Sequence, residues 1–175
     1  MNKTVFLPVL LLFLLLLVGC SQKETIANRE WYDSIDLVIQ NGLQDEGLTT
    51  ADILGTEVDQ GDTLVFYHKG LQTGVASITH GDKGYSWYRS ASYASVLASD
   101  QPYGSLSFDF ESENKHTRKI VAGVVYSQQI KRLGLFVSGS QVISKTFDQT
   151  PAPFYFLIHD PSIDVSSIEV KPLDE

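Results

Sequence analysis

The chain holds a single cysteine, Cys20, in 175 residues. An internal disulfide is excluded, so the fold must be held by packing and strand pairing alone. Basic residues are also scarce. Thirteen Lys and Arg stand against 21 Asp and Glu, for a formal charge of −8. Nucleic acid and anionic lipid surfaces are gripped by clustered Lys and Arg, so this balance argues against both as direct partners. Acidity alone names no ligand, because it serves solubility equally well. Catalytic signatures are missing too. There is no Cys or His cluster with zinc spacing, no His-Glu-x-x-His, no Gly-rich phosphate loop and no Gly-x-Ser-x-Gly elbow. The four histidines, His68, His80, His116 and His159, are scattered singly. No catalytic residue, metal or cofactor is assigned from the sequence.

What is present begins at the N-terminus. Lys3 precedes an uncharged apolar run over residues 5–18, broken only by Pro8. A membrane-spanning helix needs roughly 20 apolar residues, so this run suits the core of a signal peptide better than a span. It ends in Leu17-Val18-Gly19-Cys20, and polar residues follow at once in Ser21-Gln22-Lys23-Glu24. The alternatives are an ordinary secretory signal, which Leu17 fits poorly at its small-residue position, and an uncleaved anchor.

Leu17, Gly19 and Cys20 resemble a bacterial lipobox, with leucine three before the cysteine and a small residue just before it. The resemblance implies a diacylglyceryl thioether on the Cys20 sulfur, cleavage after Gly19 and acylation of the new amine. Each buried methylene contributes about 0.8 kcal/mol and one acyl chain holds only marginally, whereas two or three on one residue hold firmly. The implied partner is the membrane, reached through lipid on Cys20. The implied place is the extracytoplasmic side of the cell membrane. All acidic residues and every basic one except Lys3 lie beyond Gly19, so the processed chain would be slightly more acidic still.

The expected organisation is a signal peptide over 1–19, a polar tether over 20–27, and one domain over 28–175 with a soft boundary near 103. One domain of this size can bury a core without staples. Residues 28–40 place Trp31, Ile35, Val38 and Ile39 at helical spacing. Thr25 or Asn28 would cap that helix and Gly42 would end it. Trp31 and Tyr32 are expected to pack on the sheet that follows rather than at a membrane interface. Residues 43–62 read as turns punctuated by Gly47, Gly55 and Gly61, with a capping box at Thr49-Thr50-Ala51-Asp52. Glu57, Asp59 and Asp62 read as a solvated acidic loop without calcium-loop spacing.

From Thr63 the chain reads as strands: 63–69 and 71–80 split by Gly70, then a hairpin through Gly81-Asp82-Lys83-Gly84 into 85–90. In that return strand Tyr85, Trp87 and Arg89 share one face, and Ser86, Tyr88 and Ser90 the other. Residues 91–103 read as a loop with room for one short strand, 105–110 as a half-buried strand, and 111–118 as a charged turn. Residues 120–126, apolar on both faces, read as a central strand. Further strands follow at 133–137, 142–147, 154–159 and 165–171. Many short strands with turn signals between them predict a mainly β, antiparallel, sandwich-like fold with one N-terminal helix.

The hairpin over 62–90, together with Gly123-Val124-Val125, Ile130, Val137 and Phe154-Tyr155-Phe156, resembles small uncharacterised lipoproteins of Bacillus-type bacteria. This resemblance carries over no catalytic residue and favours an anchor in the outer leaflet of a plasma membrane. The aromatic hairpin makes Tyr85, Trp87 and Tyr88 the candidate ligand-binding residues. The expected function is a non-catalytic binding or interaction module at the cell envelope, meeting an envelope protein or a small ligand. The competing expectation is a surface hydrolase built on His159 or His80 beside a carboxylate. His68 and His80 would face each other if Gly70 lay in a turn of suitable register. Asp160 before Pro161 reads as turn chemistry, and Asp109 with Glu111 as a solvated strand face.

Overall fold

The computed structural model describes residues 30–96 and 101–173. The expected signal peptide over 1–19, Cys20 and the expected tether over 20–27 lie outside the described residues. Within them the chain is mainly β, with antiparallel sheets and one α-helix.

The helix, α1, spans Ile35–Asp45, which corrects the expected 28–40. Two causes shift it. Tyr32 is held extended by paired backbone hydrogen bonds with Tyr85, each 2.8 Å. Ser34 then caps the helix by accepting from the Leu37 amide. Gly42 does not end α1 but lies inside it, buried, where an added Cβ would fall 2.3 Å from the Trp87 ring. The stop is Gly47 in the left-handed region at φ +74. There the Gly47 amide donates to Gln44 O and the Leu48 amide to Leu43 O, a Schellman closure. The capping box over Thr49–Asp52 forms as expected and starts a single 3-10 turn.

Strands β1 (Ile53–Asp59), β2 (Asp62–Lys69), β3 (Gln72–Gly81), β4 (Gly84–Tyr88) and β5 (Ala94–Ser95) form sheet A. Its order is β1-β2-β3-β4, with β5 pairing the start of β3. Sheet B is β10 (Ala152–Ile158), β7 (Thr117–Val125) and β6 (Tyr103–Glu111), with β7 in the middle. Sheet C is β11 (Ile168–Pro172), β8 (Arg132–Val137) and β9 (Ser140–Thr146), with β8 in the middle.

Three apolar clusters stack these elements as α1, A, B, C. Val38 and Leu43 meet Val65, Tyr67, Ala76 and Ile78 between the helix and sheet A. Leu64, Phe66 and Val75 from the other face of A meet Phe110, Ile120, Ala122, Tyr155 and Leu157 of B. Val121, Val125, Phe154 and Phe156 on the far face of B meet Leu133 and Leu135 of C. Sheet B is therefore covered on both faces. This explains why β7 is apolar without alternation and sits centrally, as its sequence predicts. Sheet A comes from residues before Tyr103 and sheets B and C from residues after it, yet A and B share one core.

Candidate functional site

The main polar constellation lies at one end of the A–B interface. It is built around Arg118, which is fully buried. On β7 the alternation that turns Ile120 and Ala122 toward sheet A turns Arg118 the same way. Sheet A answers with two aspartates flanking the β1–β2 turn. Asp59 and Asp62 are cross-strand partners, joined through Gln60 and Gly61 at φ 48 and 82, the type I′ geometry of a two-residue hairpin. The expected solvated acidic loop is thus corrected: Glu57 and Asp59 belong to a strand, and Asp62 is 1 % exposed. A two-residue turn leaves no loop in which to solvate them.

Arg118 Nε donates to Asp59 Oδ2 at 2.6 Å, and one terminal nitrogen reaches Asp59 O at 2.6 Å and Asp62 Oδ2 at 3.0 Å. The other terminal nitrogen donates to His116 O at 3.1 Å. Each aspartate also holds an imidazole. His159 Nδ1 lies 2.8 Å from Asp59 Oδ1, and His116 Nδ1 lies 3.0 Å from Asp62 Oδ2. Asn114 donates to the second oxygen of Asp62. The arrangement ties β1 and β2 of sheet A to the β6–β7 turn and the end of β10 in sheet B.

Burial alone would push both carboxyls up. For Asp59 the bonds from His159 and Arg118 outweigh it, and for Asp62 those from Ser112, Asn114 and His116 with the Arg118 charge. Both therefore titrate below the ordinary 3.8. A carboxyl whose folded value lies below its unfolded one stabilises the fold above the unfolded value and ceases to as pH falls through the folded one. The melting temperature should therefore fall steeply once pH drops below about 4, the unfolded aspartate value. Asp62→Asn should flatten that limb. Melting curves from pH 7 to 2 check this, and an unchanged midpoint in acid would remove these aspartates from the stability of the fold.

Chemically, the two Asp–His pairs orient their rings in the way a general base requires. Among the described residues no hydroxyl is hydrogen-bonded to the outer nitrogen of either ring. The other two histidines stand apart. His68 Nδ1 contacts Gly70 O, and His80 packs beside Tyr85. Gly70 does lie in a turn, but the register pairs His68 with Thr73 and His80 with Tyr85, so the two do not face each other. Asp160 accepts from Ser162 in a local turn. Asp109 pairs with Lys119, and Glu111 with Lys115.

The aromatic hairpin divides between two faces. Tyr85 and Trp87 pack into the cluster beneath α1, where Trp87 fits under Gly42 and beside Tyr67, ring centroids 5.5 Å apart. Trp31 lies over Gly81 and Tyr32 joins the same cluster, so both pack on the sheet as expected. Tyr88 opposes Ser77 on the face turned toward sheet B and is half-buried. Beyond Trp87, Glu46 at the end of α1 accepts from the Tyr67 and Tyr93 hydroxyls and pairs with Arg89. Burial and the Glu46 charge push both phenols well above the ordinary 10, so they serve as neutral donors. A separate cavity of about 230 Å³ is lined by Gln128, Lys131, Phe147, Asp148, Gln149 and Thr150. That is below the roughly 300 Å³ at which small-molecule sites begin.

Sequence reasoning missed the Arg118 cluster. Its signal was an arginine alternating in step with Ile120 and Ala122 on a strand otherwise fit only for a core. The fold and site define a layered, mainly antiparallel β domain capped by one helix. No protein-family model matches the chain, and neither a curated protein nor a solved structure is significantly similar to it.

Proposed function

We propose that this chain is a lipoprotein held at the extracytoplasmic face of the cell membrane by lipid on Cys20. Its domain acts there as a non-catalytic binding or interaction module for an envelope protein or a small ligand. The observation that carries the reading is Leu17-Val18-Gly19-Cys20 at the end of an uncharged apolar run. Among the described residues no helix is long and apolar enough to cross a membrane. The domain is in place by Glu30. Ten residues extend at most about 35 Å, which keeps any partner close to the bilayer.

In-cell cross-linking of the anchored protein, with Cys20→Ala as control, tests both halves of the reading. The wild-type chain should fractionate with membranes and capture a specific envelope protein. Cys20→Ala should leave the membrane fraction almost completely and lose that partner. Retention of the variant in membranes would overturn the anchor.

The hydrolase reading keeps one specific observation in its favour, the His159–Asp59 pair at 2.8 Å. It gains weight if the protein is recovered alone and cleaves envelope polymer in a way that His159→Asn abolishes.

A further inference from the structure

Edge strands of all three sheets converge at one place away from Arg118. Glu57 comes from β1 of sheet A, Tyr155 from β10 of sheet B and Lys145 from β9 of sheet C. The Tyr155 ring stacks on Phe66, centroids 3.8 Å apart and planes within 1°. Phe66 therefore covers one face of the ring. Lys145 Nζ lies over the ring 3.3 Å from its centroid, so it covers the other face. The Tyr155 hydroxyl donates to Glu57 Oε1 at 3.1 Å. It reaches there because residue 55 is glycine: a Cβ at that position would fall 2.2 Å from the hydroxyl. An amine, a phenol and a carboxylate from three sheets thus meet, the amine and carboxylate half-buried and the phenol buried.

Among the described residues no carboxylate lies within ion-pair distance of Lys145 Nζ, whereas Lys115, Lys119 and Lys171 each have one. One ordinary role for an inward-pointing lysine on an edge strand is to block pairing with another chain. That role requires only charge. It does not account for a phenol ring beneath the amine whose hydroxyl is held by a carboxylate.

We propose that Lys145 is a covalent capture site for small carbonyl compounds, with Tyr155 as proton relay and Glu57 as its support. The neutral amine adds to the carbonyl carbon, forming a C–N bond as the C=O π bond breaks. Tyr155 gives its hydroxyl proton to the new alkoxide and takes one back from the nitrogen, leaving a carbinolamine. The nitrogen lone pair then expels the hydroxyl, which leaves as water with the second amine proton, and an imine remains. No oxidant or reductant is consumed. Burial makes the free amine accessible near neutral pH, since it lowers the Lys145 ammonium from 10.5 to about 8 against the opposing charge of Glu57. The ring face favours the ammonium and takes back part of that gain. This site is independent of the anchor on Cys20.

The test is limiting reductive alkylation of the whole protein with acetaldehyde and cyanoborohydride, with N-ethyl groups mapped to each lysine by mass spectrometry. Lys145 should be labelled at least tenfold faster at pH 7.4 than Lys69, Lys83, Lys115 or Lys171. Its rate should level off just above pH 8 while theirs still climb. Lys145→Arg, which retains the charge over the ring, should remove the fast phase without shifting the melting temperature. Tyr155→Phe, which retains the ring, should slow Lys145 alone. Labelling of Lys145 at or below the rate of the exposed lysines would overturn the proposal and leave an edge-strand guard. Unchanged labelling in Tyr155→Phe would overturn the relay.

Discussion

Arg118→Met should cost the fold about 3–5 kcal/mol, the loss typical of breaking a buried ion pair from one side. The substitution retains much of the side-chain volume, so the cost isolates the charge. Asp59 and Asp62 would stay behind the A–B interface with no guanidinium, and Asp62 is 1 % exposed. Their remaining donors are the two histidines, Asn114 and Ser112. The variant should also flatten the acid limb of the pH dependence. In the wild type the folded carboxyls lie below their unfolded values, so acid weakens the fold. Without Arg118 the burial that pushes them upward is less opposed. Folded values then move up toward the unfolded ones, and less stability is lost as pH falls below about 4. Urea denaturation at pH 7 and at about pH 3 reads both effects. A loss under about 1 kcal/mol, the scale of a screened surface pair, would show that water reaches the cluster and the charges are not acting as a buried set.

Gly123→Ala should cost roughly 3 kcal/mol, at the upper end of overpacking, and Gly123→Val more. Gly123 lies on β7, between Ser105 of β6 and Phe154 of β10. A Cβ there would stand 2.1 Å from Gly104 O and 2.7 Å from the Phe154 ring. The ring can swing aside, but the carbonyl belongs to the neighbouring strand. Moving it means unzipping β6 from a sheet covered on both faces. Gly139→Ala is the matched control. Gly139 sits in the β8–β9 turn at φ +80 with open space around it, and left-handed backbone costs only about 1–2 kcal/mol. If the two variants unfold at the same urea concentration, β6 is free to shift and sheet B is looser than its burial implies. Shrinking Phe154 alongside should rescue little, because the closest clash is with backbone.

Much of the strand pattern was legible because its causes are local. Alternation over 105–110 and the unbroken apolar stretch after Lys119 report which faces are covered, and the Gly81–Gly84 turn carries its own geometry. The Thr49–Asp52 capping box is complete within four residues. The start of α1 was less legible, since Thr25, Asn28 and Ser34 offer comparable caps. The choice was made by the backbone pairing of Tyr32 with Tyr85, more than fifty residues away.

By itself, then, the sequence determined a lone cysteine at the end of an apolar run, an acidic chain, and a mainly β antiparallel domain with a helix near its start. Composition and short-range periodicity carry that information. Tertiary structure alone decided that the strands divide into three stacked sheets and that Asp62 is buried, with Asp59 largely covered beside it. It also decided that His159 meets Asp59 across 100 residues and that Lys145 rests on Tyr155. Alternation specifies which face a side chain occupies but not what lies opposite. A charged residue on an inward face is stable only when a distant strand brings its counter-charge, and no local pattern encodes that arrival.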